Sequence, residues 1–160
     1  MHSYSAKVAW SGSTGAGYGD YDRRHAGLTS AGFTLPLAAD AAFGGDPACL
    51  NPEEMLVLAA SSCQLLSFLA VAARARIDVV DYGDEAYGEM PDAGRKTALT
   101  TITLRPHITV TDDPERPISE ERVLHLCEVA HRECYIANSL RTTILVQPVV
   151  TIGPVRGVGT

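Results

Sequence analysis

Two of the four cysteines, Cys63 and Cys134, sit where thiol chemistry is worth weighing. Cys63 lies in Ala59-Ala60-Ser61-Ser62-Cys63, with Ala59, Ala60, Leu66 and Ser67 as helical neighbours at three and four residues. Small residues there leave room for a closely packed partner or for a substrate. By position alone packing is the simpler reading, because free cysteine is among the most buried residue types. A thiol in apolar surroundings resists ionisation, and a mid-helix position gains little from the helix N-terminus. Reaction at neutral pH would therefore require a nearby cation. Cys134 follows Ala130-His131-Arg132-Glu133 at the expected end of a second helix, where the dipole does not favour a thiolate. It is the poorer nucleophile of the two. That asymmetry suits a resolving cysteine, which attacks an already oxidised thiol.

The other two cysteines have plainer readings. Cys49, in Asp46-Pro47-Ala48-Cys49-Leu50, falls in a loop and is expected to be a bystander. Cys127 falls on the apolar side of the second helix and is expected in the core. Cys127 and His131 are four apart and share a helix face, so together with His125, Cys134 or Cys63 they could ligate a metal. No Cys-x-x-Cys pair is present, and structural zinc usually shows one. The expectation is no metal, with a packed cysteine beside a solvated or hydrogen-bonded histidine.

The elements that must position these thiols follow from local signals. Asn51-Pro52-Glu53-Glu54 reads as a helix start: Asn51 as N-cap, Pro52 at the first helical position and Glu54 as the capping-box acid. The helix runs to about Arg76. Its middle is apolar on nearly every face, so it is expected to be buried on nearly every side. Ser119 caps the second helix, which ends near Cys134 with a further turn through Asn138. Residues 4–11 alternate as a strand, and Tyr21 to Arg24 and Gly27 to Leu35 read as extended. Pro36 through Leu50 reads as a long loop. Val79 to Glu89 and Ala98 to Thr111, joined by Pro91-Asp92-Ala93-Gly94, predict a long antiparallel hairpin, with Pro106 marking an edge or a bulge. Arg141 to Ile152 is the last strand.

Helices grouped apart from antiparallel strands indicate an α+β fold in a single domain, residues 1–160. One long apolar helix is more than the strands of one chain can cover, so a symmetric homodimer is the simplest solution. Thirteen basic against nineteen acidic residues, a net charge of −6 and no basic patch argue against nucleic acid and anionic membrane surfaces as partners. Residues 1–7 lack the apolar core of a signal peptide. The apolar stretch from Met55 to Ala73 is broken by Ser61, Ser62, Gln64 and Ser67, so it reads as a soluble helix rather than a membrane span. A cytoplasmic location is the expectation, where cysteines serve catalysis, redox sensing or metal binding before structural disulfides.

Three segments together resemble the OsmC/Ohr family of osmotically inducible and organic hydroperoxide resistance proteins. Asn51-Pro52-Glu53-Glu54 with the helix carrying Cys63 is similar to its first signature, and Ala130 to Cys134 with Ile136 to Leu140 is similar to its second. Tyr21-Asp22-Arg23-Arg24-His25 looks like the arginine motif of the OsmC-like branch, which places Arg23 two residues after the tyrosine. The resemblance implies antiparallel sheets wrapped around a long buried central helix in an intertwined homodimer. It also implies a cysteine-based peroxidase. Cys63 would be oxidised by an organic hydroperoxide to a sulfenic acid, Cys134 would resolve it as a disulfide, and an external thiol or dithiol would reduce that, with no bound cofactor. Arg23 would stabilise the Cys63 thiolate and Glu53 would hold the arginine. A hotdog-fold thioesterase would need a run of strands after its long helix, which Ser119 to Glu133 interrupts. The alternative is an OsmC-like stress-response dimer that binds a small hydrophobic ligand without peroxidase activity.

Overall fold

The computed structural model describes residues 1–91 and 97–154. The chain divides into two compact units, Met1–Leu56 and Val57–Thr160. The first is an antiparallel meander of β1 (Ala6–Ala9), β2 (His25–Thr29) and β3 (Thr34–Leu37). The extended segment foreseen across Gly27 to Leu35 is broken into a hairpin. Gly32 takes φ +86°, a conformation that side chains rarely adopt, and its N–H donates to the Thr29 carbonyl at 3.0 Å. Pro36 is tolerated because β3 is an edge strand.

Helix α1 (Pro52–Arg74) starts as its sequence predicts. The Asn51 side chain accepts the Glu54 N–H at 2.8 Å, and the Glu54 carboxylate accepts the Asn51 N–H at 3.3 Å. Asn51 also donates to Asp40 at 3.3 Å, tying the helix start to the preceding loop. The all-round burial expected of α1 is not reached within the chain. Ala60, Gln64, Phe68, Val71 and Ala72 are buried, but Leu58 is 60% and Leu66 64% exposed, with Met55 and Leu69 beside them. At 23 residues α1 is long and apolar enough to cross a membrane by length and composition, a property that core helices of soluble proteins share.

The second unit holds two three-stranded sheets. One orders β4 (Val79–Asp84), β7 (Pro106–Asp112) and β9 (Val149–Pro154), with β7 in the middle. The other orders β5 (Tyr87–Glu89), β6 (Thr101–Leu104) and β8 (Thr143–Val146), with β6 in the middle. The expected hairpin is present as antiparallel pairings β4–β7 and β5–β6; its turn residues Asp92 to Gly94 lie outside the described residues. Each long strand is cut in two at the same level. Pro106 marks neither an edge nor a bulge but the passage from one sheet to the other, where the Arg105 N–H donates to the Asp84 carboxylate at 2.6 Å. The last strand is likewise cut at Gln147-Pro148.

The sheets are not wholly antiparallel, contrary to expectation. β6–β8 and β7–β9 pair in parallel. Helices α2 (Glu120–Glu133) and α3 (Tyr135–Ser139) intervene between β7 and β8 and return the chain to the end where β6 and β7 began, as a parallel crossover requires. The architecture remains α+β. Its core packs Phe68, Val71 and Ala72 of α1 against Ile108 and Val110 of β7 and Val123, Cys127 and Ala130 of α2.

Candidate active site

The second unit brings Cys63 and Cys134 together. Ser119 accepts the Arg122 N–H and starts α2, which ends at Cys134; that residue is extended (φ −70°, ψ 112°) and at once becomes the cap of α3. One non-helical residue thus turns the chain so that the first N–H groups of α3, which lack helical acceptors, face the sulfurs. The Ile136 N–H donates to Cys63 Sγ at 3.5 Å. The Cys134 thiol lies within hydrogen-bonding reach of Cys63 and is only 1% exposed. Burial pushes it up to about 11; the Ala137 N–H opposes the shift, and the Cys63 thiol adds to it. Cys63 itself is partly buried, and both sulfurs are free thiols.

Cys127 belongs to the core, as foreseen. Burial pushes it up to about 12, so it stays a thiol at neutral pH. Cys49 is a partly buried loop thiol. Among the described residues no group of three or more His, Cys, Asp or Glu side chains could hold a metal.

The first unit gives the adjacent Arg23 and Arg24 different surroundings. Arg24 is solvent-facing and bound to Asp22 through Nε and Nη2 at 3.0–3.1 Å, a pair that holds Asp22 below its ordinary value. Arg23 is partly buried. Its guanidinium donates to the carbonyls of Tyr18 at 2.6 Å and Tyr21 at 3.2 Å, and stacks over both rings at 5.0 and 4.1 Å. Gly44, at φ +74°, lies close against it; a Cβ there would come within 3.2 Å of Nη1. Arg23 thereby lines a cleft of about 720 Å³ with Trp10, Tyr18, Tyr21, His25 and Phe43. Glu53 is in the first turn of α1, and among the described residues its carboxylate makes no ion pair within the chain. The expected Glu53–Arg23 pair is therefore absent from the single chain.

Sequence reasoning missed three contributors. The Ile136 N–H carries no sequence signal. The rings of Tyr18 and Phe43 were legible only as loop aromatics, and Trp10 only as a residue of an expected strand. Gln64, buried beside Cys63 in the chain, was visible as a polar break in an apolar run.

The family model for OsmC-like proteins matches residues 44–148, a stretch that includes Glu53, Cys63 and Cys134 but not Arg23. The chain belongs to the OsmC-like family. Solved structures of OsmC-like proteins share its fold. An OsmC-like protein of unknown function from Vibrio cholerae O1 biovar eltor is 29% identical, with a TM-score of 0.82 over 93% of this chain and 100% of that one. An organic hydroperoxide resistance protein OsmC from Legionella pneumophila is 20% identical (TM-score 0.69, 94% and 98% covered). An organic hydroperoxide resistance protein from Elizabethkingia anophelis is 17% identical (TM-score 0.65, 95% and 97% covered). Curated protein sequences yield no match.

Proposed function

We propose that this OsmC-like protein is a thiol-dependent peroxidase acting on organic hydroperoxides. The contact between the Cys63 and Cys134 thiols carries the reading. The hydroperoxide resistance proteins that share the fold support it. Cys63 thiolate attacks the O–O bond of a hydroperoxide; sulfur takes one oxygen, and the other leaves with a proton as the alcohol. Cys134 then attacks the Cys63 sulfenic acid. The S–S bond forms, the S–O bond breaks, and the Cys134 proton departs with the hydroxyl as water. An external dithiol, expected in a reducing compartment such as the cytoplasm, restores both thiols by exchange.

The cation comes, in this reading, from a second copy of the chain. Glu53 and Cys63 are ten residues apart on one helix, so roughly 15 Å along its axis and roughly 80° around it. One arginine can hardly serve both in one subunit. A homodimer in which the exposed apolar stripe of α1, Met55, Leu58, Leu66 and Leu69, packs against its equivalent supplies Glu53 and Arg23 across the interface.

The test is consumption of cumene hydroperoxide with a dithiol reductant. Turnover is expected in the wild type. Cys63→Ser abolishes it, and Cys134→Ser leaves one stoichiometric oxidation followed by over-oxidation of Cys63. The aromatic cleft around Arg23 favours a second reading, a dimer that binds a small apolar ligand without turnover. Ligand binding with no peroxide consumption in the same assay would select it.

A further inference from the structure

We infer that Gln64 is a positioning residue that holds Cys63 in register with Cys134; the inference rests on the reading of those two cysteines as the redox pair. Gln64 is 1% exposed, on the face of α1 that otherwise buries Ala60, Phe68, Val71 and Ala72. Its Nε2 donates to the Cys127 carbonyl at 3.2 Å, while its Oε1 has no partner among the described residues. Burying an amide that is only half satisfied costs free energy that a methionine or leucine at the same place would not. Stability alone therefore does not account for this side chain, whereas a registry role does.

The geometry of the bond shows what it sets. Gln64 directly follows Cys63. Its acceptor is a main-chain atom of α2, two helical turns before Cys134 on the same face. The bond thus links the Cys63 level of α1 to the helix that delivers Cys134. Among the described residues it is the one buried side-chain hydrogen bond between α1 and α2. Their other polar link, Arg74 to Glu133 at 2.6 Å, is more than half exposed on both sides and constrains little. Phe68, one turn further along α1, packs into the same core as α2, and the Gln64 bond adds a directional contact at the Cys63 level. A slip of one helical turn moves a residue about 5.4 Å. A disulfide accepts Cα separations of only about 4.4–6.8 Å. A single buried donor aimed at a fixed carbonyl excludes the slipped arrangements.

The step that depends on this register is the condensation of the Cys63 sulfenic acid with the Cys134 thiol, which releases water. Gln64→Met keeps the volume and removes the donor. After one equivalent of cumene hydroperoxide, we expect Cys63 to be oxidised at the wild-type rate. Disulfide formation, followed by intact mass and by dimedone capture of the sulfenic acid, should be slower by about tenfold to a hundredfold. The thermal midpoint of the reduced variant should equal or exceed that of the wild type, and its exchange equilibrium with a reference dithiol should shift toward the reduced form. Gln64→Leu should behave alike. If wild type forms the Cys63–Cys134 disulfide and both variants form it equally fast, with the same exchange equilibrium, the positioning role is overturned while the peroxidase reading stands. If both variants fail to fold, Gln64 is a structural requirement and the positioning role is likewise overturned. If wild type itself forms no such disulfide, the peroxidase reading falls and this inference with it.

Discussion

The Cys134 sulfur is held as a thiol up to about 11, mainly by burial, so little of it is thiolate at neutral pH. Attack on a sulfenic acid goes through the thiolate. After stoichiometric oxidation of Cys63, disulfide formation should therefore quicken with pH, by about tenfold per unit well below 11. Stopped-flow oxidation between pH 6.5 and 9 checks this, and a flat profile would mean that the Cys134 proton is removed by another group. The two adjacent arginines allow a second residue-scale prediction. Arg23→Ala should lower turnover by roughly a hundredfold, the usual loss when one preorganised charge donor is removed. Arg24→Ala should leave it near wild type, because Arg24 serves the exposed Asp22 pair. Steady-state kinetics on both variants decides; equal losses would mean that the aromatic cleft around Arg23 is not what matters.

At the scale of elements, the start of α1 is a local structure whose worth can be measured. Asn51 is buried, accepts the Glu54 N–H and donates to Asp40. Asn51→Ala should cost about 0.5–2 kcal/mol, the range for lost N-caps, seen as a lower thermal midpoint. Replacement by serine, which caps but cannot reach Asp40 as the amide does, should recover part of it. The junction of α2 and α3 is the other element that matters. A continuous helix through residue 134 would point the Ile136 and Ala137 N–H groups back into the helix, away from the sulfurs. The non-helical conformation at Cys134 is what leaves them free.

For the whole molecule, the exposed stripe on α1 and Glu53, without an ion pair among the described residues, raise the same question: what a second copy contributes. Combining a Cys63→Ser chain with an Arg23→Ala chain should restore about half of the wild-type activity in mixed dimers if the residues act across the interface, since one of the two sites is then intact. Activity of the mixture no higher than that of the two parents, measured after subunit exchange, would put Arg23 and Cys63 to work in the same subunit. Sedimentation of Leu66→Glu gives the companion result: a charge on this 64%-exposed position should shift the protein toward monomer.

The sequence by itself determined the helices and singled out two of the four thiols. Asn51 with Glu54, and Ser119 before an apolar stripe, are local signals, since capping and 3.6-residue periodicity involve neighbours a few residues apart. The family motifs likewise marked Cys63 and Cys134. Strand direction was not legible in this way. Nothing within Arg141 to Ile152 says that β8 and β9 run parallel to β6 and β7; that follows from where α2 and α3 return the chain. The level at which each long strand divides brings Asp84 to Arg105, and the contact of Cys63 with Ile136 joins residues 73 positions apart. Only the tertiary structure decided these. Local backbone geometry is encoded by adjacent residues, whereas pairings between distant residues depend on how the intervening elements pack, and no spacing along the chain records that.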